Sequence, residues 1–290
     1  MAIWNLGSIN ADMVYTLPHL PQAGETLAAT EFAQFLGGKG ANMSVAAARA
    51  GAHVCHIGAV GPEGLWARDR LLEYGVDTRH IAQIDTPTGH AIVAVDQAGE
   101  NQIILFPGAN RALHPDQVGQ ALSAASAGDI LVMQNETNLQ AETAKMGRQL
   151  GLRVAYAAAP FEAEAVQAVL PHLDLLFMNE VEADQLQEAT GHAPDALGVA
   201  DVIVTLGARG ARHIHSPSGE VREVPALPVT PVDTTGAGDT FTGYVLAGLD
   251  RGMPMAQAMS QASRAAALMV TRHGTADVIP DLKEVQDARL

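Results

Sequence analysis

Between Val232 and Tyr244 the chain reads "VDTTGAGDTFTGY", so that Gly236, Ala237 and Gly238 stand directly before Asp239 and an apolar, helix-like run follows. Small residues at a helix start leave backbone N–H groups free for an anion, because the first turn of a helix has donors without intrahelical acceptors. An aspartate one residue later offers a carboxylate to the same reacting centre. Phosphoryl transfer to a hydroxyl needs that pair, a base for the attacking hydroxyl and donors for the charge on the transferred group. A structural reading stands beside it, since an aspartate in a first helical turn gains roughly 0.3–1 kcal/mol from the helix dipole. A second glycine-rich start, "GGKGAN" from Gly37 to Asn42, can likewise be an anion cradle or a tight entry to an alanine-rich helix. The pattern GxxxxGK[ST] fails there because Lys39 is followed by Gly40, and GxGxxG fails at the first stretch because Phe241 takes its last position. A P-loop ATPase and a dinucleotide-binding dehydrogenase are therefore disfavoured.

Such groups must be positioned by regular elements, and the chain supplies them in alternation. "MAIWNLGSINAD" opens as a strand ending at Gly7, with Asn10 and Asp12 expected at that strand's edge. Asn42–Ala50 predicts a helix closed by Gly51, "HVCHIGAV" a strand, Leu65–Tyr74 a helix closed by Gly75, and Pro115–Ala125 a helix before the strand "DILVMQ". The order continues through Leu139–Leu150, "RVAYA", Glu162–Leu170, "DLLFM", Glu180–Ala189 and "DVIVTLG". Alternation of this kind predicts an α/β fold with a mostly parallel central sheet, right-handed crossovers and helices on both faces. Residues 13–35 and 88–106 break the pattern: the first is short-stranded, and the second predicts a hairpin with its turn at Gln97–Asn101. Together they predict a small sheet outside the main core of one 290-residue domain. Ligands of a parallel sheet gather beyond the carboxyl ends of its strands, which singles out Asp12, Glu136, Asn179 with Glu182, and Thr205 with Gly207.

Composition narrows the partners. With 48% hydrophobic residues the chain can bury a large core, and with only 4% aromatics that core must be built from Ala, Val, Leu, Ile and Met. A net charge of -15 repels polyanions, so no nucleic-acid partner is expected and a bound phosphate must be held by local groups. One cysteine, Cys55, excludes an intrachain disulfide; no Lys or Arg precedes Lys39, and no apolar run reaches membrane-spanning length. A soluble cytoplasmic protein without membrane contact is the expectation.

"GGKGANMSVAAARAGAHVCHIGAVG" (Gly37–Gly61) and "DTTGAGDTFTGY" (Asp233–Tyr244) resemble the two signatures of the ribokinase family, also called the phosphofructokinase-B family of carbohydrate kinases. Between them, "NEVEAD" (Asn179–Asp184) is similar to the family's Asn-x-x-Glu motif and "TLGARG" (Thr205–Gly210) to its nucleotide-binding turn. The resemblance runs from the first strand to "VTRHG" near the C-terminus. It implies a ribokinase-like fold in which residues 13–35 and 88–106 form a lid, and ATP-dependent transfer of the γ-phosphate to a primary hydroxyl of a sugar. "GSINAD", "GGKGAN", "MQNET" and "TLGARG" have the wording of the ribokinase branch, which implies ribose. It further implies that Asn10, Asp12, Gly38, Lys39, Asn42 and Glu136 line the sugar pocket, that Asp239 is the base, and that Gly236, Ala237 and Gly238 form the anion hole. Thr205, Gly207 and Gly210 would approach ATP, Asn179 and Glu182 would organise Mg2+ and its waters, and Asp233 and Thr235 would hold a monovalent cation such as K+. A homodimer through the lid is also implied.

Two departures accompany the resemblance. The segment from Gly191 to Asp201 is short, which predicts an abbreviated crossover, and Val278 stands where a small hydroxyl residue is common near the cation. His213 and His215 are expected to be a solvent-facing pair, and Cys55 a buried, inert thiol with no base beside it. A nucleoside kinase on the same scaffold remains open, as does a sugar or nucleotide sensor without chemistry, though a sensor has no use for Asp239.

Overall fold

The computed structural model describes residues 1–289. In chain order the elements are β1 (Ile3–Leu6), β2 (Asn10–Thr16), β3 (Glu31–Gly37), α1 (Lys39–Arg49), β4 (Val54–Val60), α2 (Leu65–Glu73), β5 (Asp77–Gln83), β6 (Gly89–Val95) and β7 (Asn101–Phe106). There follow α3 (Pro115–Leu122), β8 (Ile130–Gln134), α4 (Gln140–Gln149), β9 (Arg153–Ala157), α5 (Ala163–Val169), β10 (Leu175–Asn179) and α6 (Glu180–Thr190). The chain closes with β11 (Asp201–Thr205), β12 (Ala211–His215), β13 (Glu220–Val224), α7 (Ala237–Asp250), α8 (Met255–Met269) and α9 (Leu282–Asp287).

Nine strands form one sheet in the order β13-β12-β11-β10-β9-β8-β1-β4-β5. All neighbours are parallel from β5 to β11; β12 is antiparallel to β11 and β13 to β12, so β12 alone runs against the other strands. Strands covered on both faces need no polar alternation, and β4 and β8 are buried at every residue. One core layer lies under α1, α2, α7, α8 and α9 and the other under α3 to α6. Few aromatics are needed because helices meet through small residues: a Cβ on Gly243 of α7 would lie 2.6 Å from Ala46 Cβ of α1, and one on Gly248 would lie 2.7 Å from Ala258 Cβ of α8.

A separate four-stranded sheet has the order β3-β2-β6-β7. It holds the expected hairpin, β6 to β7, and the irregular segment, but it begins earlier and ends later than the sequence suggests. β2 starts at Asn10 and β3 runs to Gly37, so Asn10 and Asp12 belong to this small sheet rather than to the edge of β1. Position 12 pairs with Phe35 on one side and Ala91 on the other, which continues the sheet up to the main core.

Other expectations shift by a turn or less. The first helix starts at Lys39, not Asn42, and α3 stops at Leu122. Between α6 and β11 only a short 3-10 turn, Pro194–Ala196, appears, in keeping with the abbreviated crossover. His213 is not solvent-facing: β12 is flanked by β11 and β13, and the buried His213 ring sits 2.7 Å from Asp201 while His215 bonds Ser218. Cys55 is buried as expected, but His53 and Asp77 lie beside it. Among the described residues no helix is long and apolar enough to cross a membrane.

Candidate active site

At the carboxyl end of β1 the chain makes a close backbone crossing with the start of α1. A Cβ on Gly40 would lie 2.3 Å from Gly7 Cα, so both glycines are required there. The first N–H groups of α1 are all engaged: Lys39 N–H donates to Glu136 Oε2 (3.0 Å), Gly40 N–H to Ser8 Oγ (3.1 Å) and Ala41 N–H to the Ser8 carbonyl (2.9 Å). Ser8 Oγ in turn donates to Glu136. This helix start therefore presents side chains rather than amides.

The start of α7 differs. Gly236 has φ 78° and Ala237 N–H donates to the Thr234 carbonyl, but the N–H groups of Gly238 and Asp239 have no acceptor among the described residues. A Cβ on Gly238 would meet no atom within 4 Å. Asp239 itself is buried, and its Oδ2 accepts a hydrogen bond of 2.9 Å from Asn42 Nδ2. Asn42 Oδ1 is buried with no protein partner, an acceptor left for a donor from elsewhere.

Lys39 faces this carboxylate. Its ammonium is held above the usual lysine range chiefly by Asp239, against the opposing effect of burial, with Glu136 and Glu182 adding to the hold. Glu182 is raised, first by burial and also by the charge of Asp239, although the Asn179 N–H and Lys39 oppose the shift. Asn179 and Glu182 cap α6 reciprocally: Glu182 N–H donates to Asn179 Oδ1 (2.8 Å) and Asn179 N–H to Glu182 Oε2 (2.7 Å). Lys39, Asn179, Glu182, Thr205, Gly236, Gly238 and Asp239 line a cavity of about 290 Å³. It shares Thr205, Thr234 and Gly238 with a larger, mostly apolar cavity of about 520 Å³, onto which Gly207, Gly210 and Ala237 also open.

On the small-sheet side, Asp12 is pushed up to about 7, first by burial and then by the charge of Glu136. A Cβ on Gly37 would lie 2.0 Å from Asp12 Oδ2, so only glycine leaves that carboxylate its room. Gly38 lies against Asn10, and the buried Asn10 accepts through Oδ1 from Asn110 Nδ2 at 2.7 Å. Asp233 and Thr235 flank Thr234, which lines both cavities, without lining either themselves. Burial acts to raise the Asp233 carboxyl, but N–H donors from Thr235 (2.9 Å) and Gly274 (3.2 Å) outweigh it and hold the group below its ordinary value.

Ser8, Thr234 and Asn110 join this region without having been singled out in the sequence. Ser8 lies inside the quoted "GSINAD", and its value depends on reaching Glu136 across the sheet. Asn110 carries no local signal, since it meets Ile9 and Asn10 only through a contact 100 residues long.

An open helix start with a buried carboxylate, between a polar and an apolar cavity at the carboxyl ends of a parallel sheet, defines a phosphotransferase-type α/β enzyme. The pfkB family carbohydrate kinase profile matches residues 3–282, and the chain belongs to that family. The chain is 34% identical to a ribokinase of Haemophilus influenzae over 294 residues, covering 96% of this chain and 95% of that one. Its fold superposes on an Arabidopsis thaliana ribokinase complexed with ribose and ATP with a TM-score of 0.87, at 28% identity and covering 99% of this chain and 98% of that one. A Burkholderia thailandensis nucleoside kinase in complex with inosine shares the fold, with a TM-score of 0.84 at 21% identity, covering 98% of this chain and 94% of that one.

Proposed function

We propose that this protein transfers the γ-phosphate of ATP to the primary hydroxyl of ribose. The observation that carries the reading is the start of α7, where Asp239 is buried and held by Asn42 while the neighbouring N–H groups of Gly238 and Asp239 are free. Asp239 takes the proton of the attacking hydroxyl, and the free amides with Lys39 receive the charge that develops on the transferred group. Asn10, Asp12, Gly38, Asn42 and Glu136 bind the sugar, whose hydroxyls suit carboxylate and amide partners. The apolar cavity behind Thr205, Gly207 and Gly210 takes the nucleotide. Asn179 and Glu182 suit Mg2+, because a carboxyl raised by burial and by a neighbouring anion gains most from a hard cation held through water; the ion neutralises phosphate charge when bound. The free lone pairs of Asp233 and the hydroxyl of Thr235 are what the chain offers K+.

Residues 13–35 and 88–106 of the single domain, which carry most of the small sheet, act as the lid over the sugar. Its strand β7 is exposed at every residue, with Ile103, Ile104, Leu105 and Phe106 in one run, and Phe32 and Ile92 are also exposed. Such a patch suits a second copy of the chain, giving a cytoplasmic homodimer. The ribokinase relatives favour ribose over a nucleoside. Coupled ADP release across pentoses, hexoses and nucleosides tests this: ribose should give the highest kcat/KM, and a nucleoside leading the panel would overturn the assignment.

A further inference from the structure

At the amino ends of β4 and β5, the end of the main sheet away from the kinase site, three side chains of metal-ligating type converge. His53 leads into β4 and Cys55 is its second residue, so the two share a face of the strand. β5 pairs with β4 so that Asp77 lies directly across from Cys55. Cys55 Sγ is 3.9 Å from His53 Nε2 and 3.9 Å from Asp77 Oδ2, and His53 Nε2 is 4.0 Å from the same oxygen. The three donors thus form a nearly equilateral triangle. A tetrahedral ion standing off that triangle would lie about 2.4 Å from each, ~0.1 Å beyond a Zn–S bond and ~0.3 Å beyond Zn–N and Zn–O bonds.

We propose that His53, Cys55 and Asp77 form a three-ligand site for a borderline-soft divalent transition ion of the zinc type, with water completing the tetrahedron. A thiol and an imidazole in the donor set select against Mg2+ and Ca2+, which want oxygen alone. Entry is open from one side, because the His53 side chain is 62% exposed while Cys55 is buried. The competitor is Arg79, which grips both oxygens of Asp77, but its side chain is 77% exposed and Nε also reaches Oδ1 at 3.0 Å. An ion on Oδ2 can therefore leave Arg79 on Oδ1. In the ion-free protein the thiol carries its proton, as an ordinary thiol does at neutral pH, because only a metal or a neighbouring cation makes the thiolate favourable. Binding breaks the S–H bond as the S–metal bond forms, and the proton leaves to the buffer without any change of oxidation state.

Titration of the full-length protein with Co2+, without nucleotide or Mg2+, tests the site. Expected are a thiolate-to-cobalt charge-transfer band saturating near one equivalent, release of a proton per ion bound, and loss of the band in Cys55→Ala. His53→Ala, at an exposed position that leaves the fold intact, should weaken binding at least about tenfold, and Arg79→Ala should tighten it. Co2+ bound by carboxylates of the kinase site gives no thiolate band, so the two sites are separable. Absence of the band at saturating Co2+, or a band that persists undiminished in His53→Ala, would overturn the proposal.

Discussion

Helices α1 and α7 both begin after a glycine with positive φ, Gly38 at 92° and Gly236 at 78°, and in the sequence both starts admit an anion cradle. In the folded protein they are opposites. The α1 start is closed: Gly7 and Gly40 touch backbone to backbone, and Ser8 and Glu136 consume its first donors. The α7 start is open, with unpaired N–H groups at Gly238 and Asp239 and free space where a Gly238 side chain would be. Glycine serves close packing in one and ligand access in the other. Only the second leaves backbone donors unpaired; the first delivers Lys39 and Asn42 as side chains toward Asp239.

The largest expected effect separates chemistry from architecture at the open start. Asp239→Asn should leave ATP and sugar binding nearly intact and lower kcat by about 10² to 10⁴-fold, or roughly 3–5 kcal/mol of barrier. Asn keeps an oxygen for Asn42 and for the first turn, so stability should fall by at most about 1 kcal/mol. kcat and the denaturation midpoint are measured on the same variant. Near-normal turnover by the folded protein would reduce Asp239 to a helix-capping charge.

The next effect sets the two starts directly against each other. Gly40→Ala pushes a methyl group to within 2.3 Å of Gly7 Cα, an overpacking that should cost roughly 1–3 kcal/mol of stability. Gly238→Ala meets nothing within 4 Å and should stabilise α7 by up to about 1 kcal/mol while lowering kcat, since the methyl group enters the space beside the free amides. Equal stability losses in the two variants would erase the distinction. A smaller change is expected at the Asn179–Glu182 cap, where Glu182→Gln should raise the Mg2+ concentration for half-maximal rate about tenfold. An unchanged Mg2+ titration would leave Glu182 as a capping residue only.

How much of this was legible in the sequence follows from the range over which each feature is determined. The parallel sheet, its crossovers and the α7 start depend on local periodicity and glycine punctuation, and they could be read directly. The engagement of the α1 donors could not, because it needs Glu136 and Ser8 brought to Lys39 by strand order. That Asn10 and Asp12 open a strand of the small sheet is hidden for a related reason: a break of three residues after β1 does not announce that the next strand pairs elsewhere. His53, Cys55 and Asp77 show the same limit. The spacing of two is visible, while the opposing Asp77 is fixed only by the β4–β5 register.

Asp12, beside the closed start, gives the smallest and most specific test of what that start is for. Its carboxyl is raised to about 7 by burial and by Glu136, so the folded state holds the proton that an unfolded chain with an ordinary carboxyl has lost by pH 5. The sign is that of a raised acid: the associated stability is fully present below about pH 4 and disappears as pH climbs through about 7. Wild-type protein should lose stability relative to Asp12→Asn between pH 5 and pH 8, by about 1 kcal/mol once contact of the side chain with water is allowed for. Ligand binding should run the other way. If the ionised carboxylate accepts sugar hydroxyls, the sugar KM should fall about tenfold from pH 6 to pH 8 in the wild type, whereas Asp12→Asn should have a higher and flat KM over the same window. Opposite slopes in stability and affinity, both abolished by one isosteric change, are expected only of a carboxylate strained by its fold and relieved by its ligand. A wild-type KM as flat as that of the variant would remove Asp12 from the sugar site.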